Sequence, residues 1–350
     1  MKNKNFVVID GNSVVHRAFH AMPPLTNRKG EAVGAAHGFF LALLRAIEDF
    51  RPDYLAVCFD TKGGTFREKS FAGYKAQRPA TPPELIRQLE TVQSLLVAAG
   101  VAVFAMADFE ADDLIASVVA AAKTESGVVD FFILTGDYDS LQLVDGRVKA
   151  FIVNRGIKNA VIYDAAKVKE KFGVSPAQIP ALKALAGDAS DNIPGAPGIG
   201  PKAAVEILSK CGTLERAFAE IETSPDGFCF GAGKRGENLK NILLRHKKQI
   251  LDFKKLASMM ADAPLGAVLG KCDFKNFSAV RARAALLERG LAGIAKRLPA
   301  AGADVTAIAL APDGRRLAAG RRGVGEHVAA LGVHPMVRDG ADAVRPGRVG

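Results

Sequence analysis

The chain has 350 residues, of which 49% are hydrophobic and 24% are charged, a composition typical of a globular protein with one large domain or two modest ones. It has no apolar run of roughly 18 residues or more, so no membrane-spanning helix is predicted. The N-terminus lacks the apolar region and cleavage site of a signal peptide, and we therefore expect an intracellular, cytoplasmic protein. The formal net charge of +10 suits a polyanionic partner.

Four cysteines, Cys58, Cys211, Cys229 and Cys272, lie far apart in the sequence and form no CxxC pair. This spacing favours neither a zinc site nor a disulfide framework. We therefore predict reduced thiols in the core of the protein.

The first half of the chain alternates apolar runs with helical patterns. Continuous apolar runs predict strands that are covered on both faces, at 6–9, 54–59, 101–104 and 131–134. Apolar residues at helical spacing predict helices over 37–50, 83–99 and 111–122. Strands that alternate with helices indicate an α/β fold with a mostly parallel central sheet flanked by helices.

Residues 61–82 form an unusually long connection between a predicted strand and the next predicted helix. The segment is basic, and it contains glycines and several aromatic residues. A connection of this length inside a compact domain is usually functional or mobile.

The strand patterns fade after about residue 174, and we place the end of the α/β core there, at 1–174. Residues 175–298 have helical patterns rich in lysine and arginine, and they include a turn-rich stretch at 187–202. Residues 299–350 are dominated by Ala, Gly, Val and Arg, and this low complexity predicts a disordered tail.

Carboxylates follow each of the four predicted strands. Because the carboxyl ends of parallel strands meet at one edge of a sheet, we expect these side chains to lie together. A single aspartate in such a position is as readily a helix cap or a turn residue, but four strands in succession favour a shared site. The acids are Asp10, Asp60, Glu110, Asp112, Asp113, Asp137 and Asp139, and the turn-rich stretch adds Asp188 and Asp191.

So many carboxylates in one place require cations, because like charges at close range raise one another's pKa. Oxygen ligands without histidine or cysteine favour Mg²⁺ or Mn²⁺ over zinc. Two such ions about 4 Å apart are a known arrangement for phosphodiester hydrolysis. The sequence therefore predicts a nuclease with two metal ions.

The motifs that carry these acids resemble, in order, those of the 5′-nuclease (5′-3′ exonuclease) domain of bacterial DNA polymerase I, in the flap endonuclease superfamily. The resemblance runs from about residue 5 to residue 298, and its motifs are VVIDGNSVVHRAFHA, VCFDTKGGTFREKSFAGYKAQRPATP, FEADDLIAS, ILTGDYDSLQLV and LAGDASDNIPGAPGIGPKAA. It implies a PIN-like core that cuts DNA at 5′ ends and flaps, in primer removal and DNA repair.

The resemblance also implies the ligands of two ions, Mg²⁺ or Mn²⁺. Those of the first ion would be Asp10, Asp60, Glu110 and Asp112, with Asp113 nearby. Those of the second ion, some of them acting through water, would be Asp137, Asp139, Asp188 and Asp191. All nine acidic positions of the motif set are occupied.

Residues at about 61–90 correspond to the family's helical arch, through which single-stranded 5′ ends are thought to pass. Four residues match the arch motif and would contact DNA or take part in the reaction: Arg67, Tyr74, Lys75 and Arg78. Cations there would neutralise phosphates, and the tyrosine would stack on a base. The implied catalytic residues are Lys75, which would stabilise the transition-state charge, together with Arg67, Asp10 and Asp60.

Residues at about 187–210 resemble a helix–hairpin–helix element that binds duplex DNA without reading its sequence. Its glycines would let the backbone approach a phosphate closely, and in relatives such a loop also holds a monovalent cation, which implies K⁺. The residues expected to contact DNA here and in the first motif are Gly195, Gly198, Gly200, Lys202 and Arg17.

Three other functions are alternatives to a 5′-nuclease. A nucleotide-binding enzyme is disfavoured because GxxxxGK[ST] is absent and the glycines at 195–200 follow a turn-rich stretch, not a strand. A PIN-type ribonuclease would keep the acids but is usually shorter and lacks the arch. A non-catalytic module for branched DNA would have lost several carboxylates. The sequence does not decide whether exonuclease or flap endonuclease action is preferred. It also leaves open the use of RNA primers and association with a separate DNA polymerase.

Overall fold

The computed structural model describes residues 3–125, 129–153, 160–223 and 233–298, which lie within one compact unit, Met1–Ala309. Its strands are β1 Lys4–Asp10, β2 Tyr54–Phe59, β3 Ala102–Ala105, β4 Val129–Thr135, β5 Val148–Ile152 and β6 Val161–Tyr163. They form a six-stranded sheet in the order β3-β2-β1-β4-β5-β6. Neighbouring strands are parallel except β6, which pairs antiparallel with β5.

The helices of the described residues alternate with these strands and then follow one another. In the first half they are α1 Gly11–Ala21, α2 Gly34–Phe50, α3 Phe66–Ser70, α4 Pro83–Ala99 and α5 Ala111–Glu125. In the second half they are α6 Ala165–Phe172, α7 Ile179–Ala186, α8 Pro201–Cys211, α9 Leu214–Thr223, α10 Lys234–Arg245, α11 Lys247–Ala257, α12 Leu269–Cys272, α13 Ala279–Glu288 and α14 Ala292–Ala295.

The central strand β1 shows why the sheet is covered on both faces. Successive side chains of a strand point to opposite faces, and all four apolar residues at 6–9 are fully buried. Val7 and Ile9 belong to the hydrophobic cluster that includes residues of α2 and α4. Phe6 and Val8 belong to the cluster that includes residues of α5. The predicted α/β fold with a mostly parallel sheet is confirmed.

The two strands that the sequence did not predict are β5 and β6. The sequence of β5, VKAFI, interrupts its apolar residues with Lys149, and β6 has only three residues. Both extend the sheet beyond β4, and β6 is the edge strand. Short strands of this kind lack the continuous apolar pattern on which the other four predictions rest.

Residues 61–82 fold into the short helix α3 followed by consecutive turns. The last part of the expected arch, residues 83–90, belongs to α4, which packs in the same hydrophobic cluster as α2. Leu85 of α4 is fully buried, and the Gln88 side chain accepts hydrogen bonds from the backbone N–H groups of Ala35 and Ala36, at 2.8 and 3.2 Å. Gln88 thereby caps the first turn of α2.

Helices α7 and α8 are joined by the glycine-rich turn at 187–200, which is the helix–hairpin–helix arrangement expected for this stretch. Gly195 has a positive φ of 74°, and a Cβ there would lie 2.4 Å from the backbone nitrogen of Gly187. Only glycine avoids this clash, so the turn cannot close with another residue.

Part of the predicted helical stretch, 175–298, packs against the α/β core. Leu265 and Val268 join the cluster around β1 and α5, and Leu286 and Leu291 join the cluster around α2 and α4. The last helices therefore pack back onto the α/β core, and a division at residue 174 stays a prediction. The predicted tail at 299–350 lies outside the described residues.

The prediction of four reduced cysteines is wrong for Cys211, which is disulfide-bonded. Cys58 and Cys272 are free and buried, and Cys229 lies outside the described residues. Linear spacing could not reveal this bond, because folding brings distant cysteines together. Among the described residues, no helix combines the length and the apolarity needed to cross a membrane.

Candidate metal centre

The predicted acids collect at the carboxyl edge of the sheet. Asp10 is the last residue of β1, Asp60 follows β2, and Asp137 and Asp139 follow β4. The acids at 110–113 stand at the start of α5, behind β3. The parallel direction of these strands is what places their ends side by side.

Asp10 and Asp60 are held by hydrogen bonds from neighbouring segments. The Asp10 carboxylate accepts from the backbone N–H of Ser13, at 2.9 Å, and from the Thr135 hydroxyl, at 2.8 Å. The Asp60 carboxylate accepts from the backbone N–H of Ala111, at 2.7 Å. Both side chains therefore cap a helix while their remaining lone pairs stay available to a cation.

Burial and mutual repulsion raise the pKa of several of these acids. Burial, with Asp60 and Asp137 nearby, raises the pKa of Asp10 to about 7. Burial, with Asp10 and Asp137 nearby, also raises the pKa of Asp112 well above its usual range. In Asp139 burial and the nearby acids outweigh a lysine and raise the pKa to about 7. The cluster therefore carries more negative charge than its surroundings balance.

A second group of carboxylates stands next to the first. Asp139, Asp188 and Asp191 each offer one oxygen, and these oxygens lie within 4.8 Å of one another. The Asp188 Oδ2 atom is buried and accepts no hydrogen bond of good geometry from the described residues. Three carboxylate oxygens this close together fit a hard divalent cation such as Mg²⁺ or Mn²⁺.

Residues 73–78 of the arch segment lie against these acids. The Lys75 ammonium pairs with Glu110 at 3.0 Å, and the Arg78 guanidinium pairs with Asp191 at 2.9 Å. The backbone N–H of Lys75 donates to the carbonyl of Asp191 at 3.1 Å, and Asn192 donates to the carbonyl of Gly73 at 2.7 Å. Opposite charges thus hold the segment to the turn that carries Asp191.

Arg67 and Asp113 form a buried bidentate ion pair. The guanidinium contacts the two Asp113 oxygens at 2.6 and 2.7 Å, and the two side chains are 3% and 0% exposed. Arg67 also donates to the carbonyls of Leu256 and Ser258, and Asp113 accepts from the backbone N–H of Met260 at 2.8 Å. The pair therefore joins α3, α5 and the segment after α11.

Three residues with expected roles make contacts inside the protein, and their roles stay predictions. Arg67 was expected to be catalytic, but its guanidinium is buried and its donors are taken by protein oxygens. Asp113 was expected beside the first ion, but both its oxygens face protein donors. Tyr74 was expected to stack on a base, but it is 5% exposed and its hydroxyl donates to Glu110 at 3.2 Å. In this conformation all three support the site from within.

Lys183, on α7, was not predicted from the sequence. Its ammonium contacts Asp139 Oδ1 and lies 2.5 Å from Asp188 Oδ2. The two carboxylates outweigh burial and raise the pKa of Lys183, and burial of Asp188 is likewise outweighed by the lysine, which lowers the pKa of that carboxyl. No linear signal marks this lysine, because its partners lie on two other segments.

The remaining expected DNA contacts are Arg17 and residues of the turn and first helical turn at α8. Arg17 donates to the carbonyl of Gly136, between β4 and Asp137. Gly198 has a positive φ of 80°, Gly200 is the residue before α8, and Lys202 is exposed in its first turn. The first turn of α8 has no side-chain cap, so its N–H groups stay available to an anion.

The neighbours Asp112 and Asp113 are expected to respond in opposite ways to the change to asparagine. Asp113→Asn leaves the Arg67 charge buried without its partner and should lower the free energy of unfolding by about 3 kcal/mol. Asp112→Asn removes a repelled charge and should raise it in EDTA at pH 8. Urea unfolding of both variants measures the difference. Equal destabilisation by the two changes would show that Asp112 is also a structural ion-pair partner.

Two family models match the chain. The model for the 5′-3′ exonuclease N-terminal resolvase-like domain matches residues 5–173, and the model for the 5′-3′ exonuclease C-terminal SAM fold matches residues 174–279. DNA polymerase I of Bacillus subtilis is 35% identical over 297 residues, which are 85% of this chain and 32% of that protein. DNA polymerase I of Bacillus caldotenax is 40% identical over 262 residues, 75% of this chain and 28% of that protein.

The chain thus spans about a third of the length of these relatives. Among solved structures, T5 5′-exonuclease with divalent metal ions (zinc) has a TM-score of 0.58 at 19% identity, over 84% of this chain and 97% of that chain. A complex of bacteriophage T5 D15 flap endonuclease with DNA and metal ions has the same TM-score, identity and coverage. These likenesses confirm the fold. With both family models matched in order, the chain belongs to the 5′-3′ exonuclease family.

Proposed function

We propose that this chain hydrolyses phosphodiester bonds of DNA at 5′ ends and flaps, with two divalent ions, Mg²⁺ or Mn²⁺. One observation carries the proposal: carboxylates from separate strand ends meet at one edge of the sheet, and the pKa of Asp10, Asp112 and Asp139 is raised there. A fold that keeps repelling charges together at a cost to its own stability supports a role in binding cations.

The donor sets divide into two groups. The first ion would be held by residues of β1, β2 and the start of α5: Asp10, Asp60, Glu110 and Asp112. The second would be held by the residues after β4 and by the turn before α8: Asp137, Asp139, Asp188 and Asp191. When bound, such ions activate water and stabilise the charge that develops at the phosphorus and the leaving oxygen.

Lys75 and Arg78 supply the positive charge that faces this site from the arch segment. Their present partners are carboxylates that ions would neutralise, so both cations can then pair with DNA phosphates. The lysine can also stabilise the transition-state charge at the scissile phosphate. Arg67 stays paired with Asp113 and holds α3, at the start of this segment, against the core.

Duplex DNA would lie beside the metal centre, on the turn at 187–200 and the uncapped first turn of α8. Exposed Lys202 and the net charge of +10 favour phosphate contacts without sequence preference. A K⁺ ion held by backbone carbonyls of this turn would add one more positive charge. The bacteriophage T5 D15 flap endonuclease, which has a similar fold, has been solved in a complex with DNA and metal ions.

The names of the bacterial relatives support a role beside DNA synthesis. These relatives are DNA polymerases I, of which this chain corresponds to about a third. We propose that it removes 5′ ends during replication and repair, RNA primers included, at the nucleoid in the cytoplasm and in association with a DNA polymerase.

A labelled 5′-flap duplex tests the proposed activity. Cleavage near the branch should require Mg²⁺ or Mn²⁺ and stop in EDTA, and Asp112→Asn should slow it by about 1000-fold or more because it removes a metal ligand. Flap binding by this variant should stay within a few-fold of wild type. Asp145→Asn, an exposed carboxylate paired with Lys123, is the matched control and should cleave normally. Wild-type turnover by Asp112→Asn would refute the metal site, and exclusive cleavage of an RNA flap would favour a PIN-type ribonuclease.

The pH dependence of metal binding follows from the raised pKa values. Asp10 and Asp139 have pKa values of about 7, above the usual value in an unfolded chain, so between about pH 4 and pH 7 the folded protein binds more protons than the unfolded one. Their contribution to stability in EDTA therefore falls as pH rises through this interval. Divalent ions bind the deprotonated form, so Mn²⁺ should raise the Tm more at pH 8 than at pH 6. An equal rise at both values would contradict this.

A further inference from the structure

We infer that Lys183 is a built-in counter-ion of the second metal site, whose ammonium competes with the divalent ion for Asp139 and Asp188 and so weakens the binding of that ion. The inference rests on the proposed function, since it concerns the ions of that site. It makes Lys183 a positioning residue, which acts through the carboxylates and not on the substrate.

The position of the ammonium group carries this inference. Lys183 contacts Asp139 Oδ1 and lies 2.5 Å from Asp188 Oδ2. These two residues are members of the triad whose oxygens lie within 4.8 Å of one another. An ion bound by the triad needs oxygens that the ammonium now contacts, so the two cations cannot keep the same contacts.

The contact with Asp188 is close but poorly directed. Although Asp188 Oδ2 lies 2.5 Å from the lysine nitrogen, it accepts no hydrogen bond of good geometry from the described residues. An ammonium has three directed donors, whereas a metal ion attracts oxygens from any direction. The attraction here is therefore mainly one of charge, which a divalent ion can replace.

The two cations that face the triad differ in their freedom to leave. Arg78, which pairs with Asp191, is 48% exposed and can turn into solvent. The Lys183 side chain is only 16% exposed, and the two residues that follow it on α7, Ala184 and Leu185, are fully buried. Lys183 therefore stays near the triad when an ion arrives, and its positive charge continues to oppose that ion.

The charge balance gives the direction of the effect. With Asp137 included, four carboxylates face one lysine and one arginine, and each of these two cations reduces the negative charge that attracts a divalent ion. Replacing Lys183 with a neutral side chain of similar length removes this opposition, so the second ion should bind more tightly. A lysine that merely held the carboxylates in place would have the opposite effect, because its loss would scatter the ligands.

A Mn²⁺ titration of the full chain, followed by the electron paramagnetic resonance signal of free Mn²⁺, tests the inference without reference to cleavage. Wild type should bind two ions, and Lys183→Met should lower the Kd of the weaker ion by about tenfold or more, with a smaller change in the tighter one. Lys183→Arg keeps the charge and should bind no more tightly than wild type. The matched control is Lys210→Met, at an exposed lysine of α8 that pairs with Glu206 at 3.2 Å.

Unchanged or weaker binding of the second ion by Lys183→Met, with far-ultraviolet circular dichroism like that of wild type, would overturn the inference. If that variant does not fold in EDTA, Lys183→Gln offers a neutral polar replacement, and its Mn²⁺-dependent rise in Tm should exceed that of wild type. Two ions in wild type with no change in either variant would overturn the inference alone. No bound ion in wild type would overturn the proposed function as well.

Discussion

Repulsion between carboxylates that the fold buries at one edge of the sheet is the constraint on which the rest of the site depends. Parallel strands deliver Asp10 and Asp60 there, and the start of α5 adds Asp112. Burial and proximity raise the pKa of Asp10 and Asp112, so the edge attracts whatever positive charge can reach it. Lysines and arginines from the arch segment and α7 supply part of this charge, and the ions that we propose supply the remainder.

The same attraction ties the parts of the chain together. The Arg67–Asp113 pair connects α3, α5 and residues 256–260. It therefore fixes α3, at the start of the arch segment, to the core and to the end of α11. The turn at 187–200 is held by the arch segment on one side and by Lys183 on the other. The second group of carboxylates consequently assembles only when the helical half of the chain has folded onto the sheet, which couples the metal centre to the surface proposed for DNA.

Much of the fold was predictable because its signals are local. The apolar run at 54–59 and the helical pattern at 83–99 coincide with β2 and α4. The strand-end acids were predictable for the same reason. The side-chain partners were not: Arg67 and Lys75 are both basic residues of one predicted connection, yet only tertiary contacts bury the first in an ion pair and place the second beside Glu110. No pattern in the sequence indicated the role of Lys183, because Asp139 and Asp188 become its neighbours only through folding.

The most direct test of the metal centre is the anomalous diffraction of crystals grown with Mn²⁺. Two peaks are expected at the carboxyl edge of the sheet. One peak should lie beside the triad of Asp139, Asp188 and Asp191. The other should lie beside the proposed ligands of the first ion, which are Asp10, Asp60, Glu110 and Asp112. The absence of a peak from this edge, or a single ion ligated by Asp113, would contradict a two-metal nuclease site.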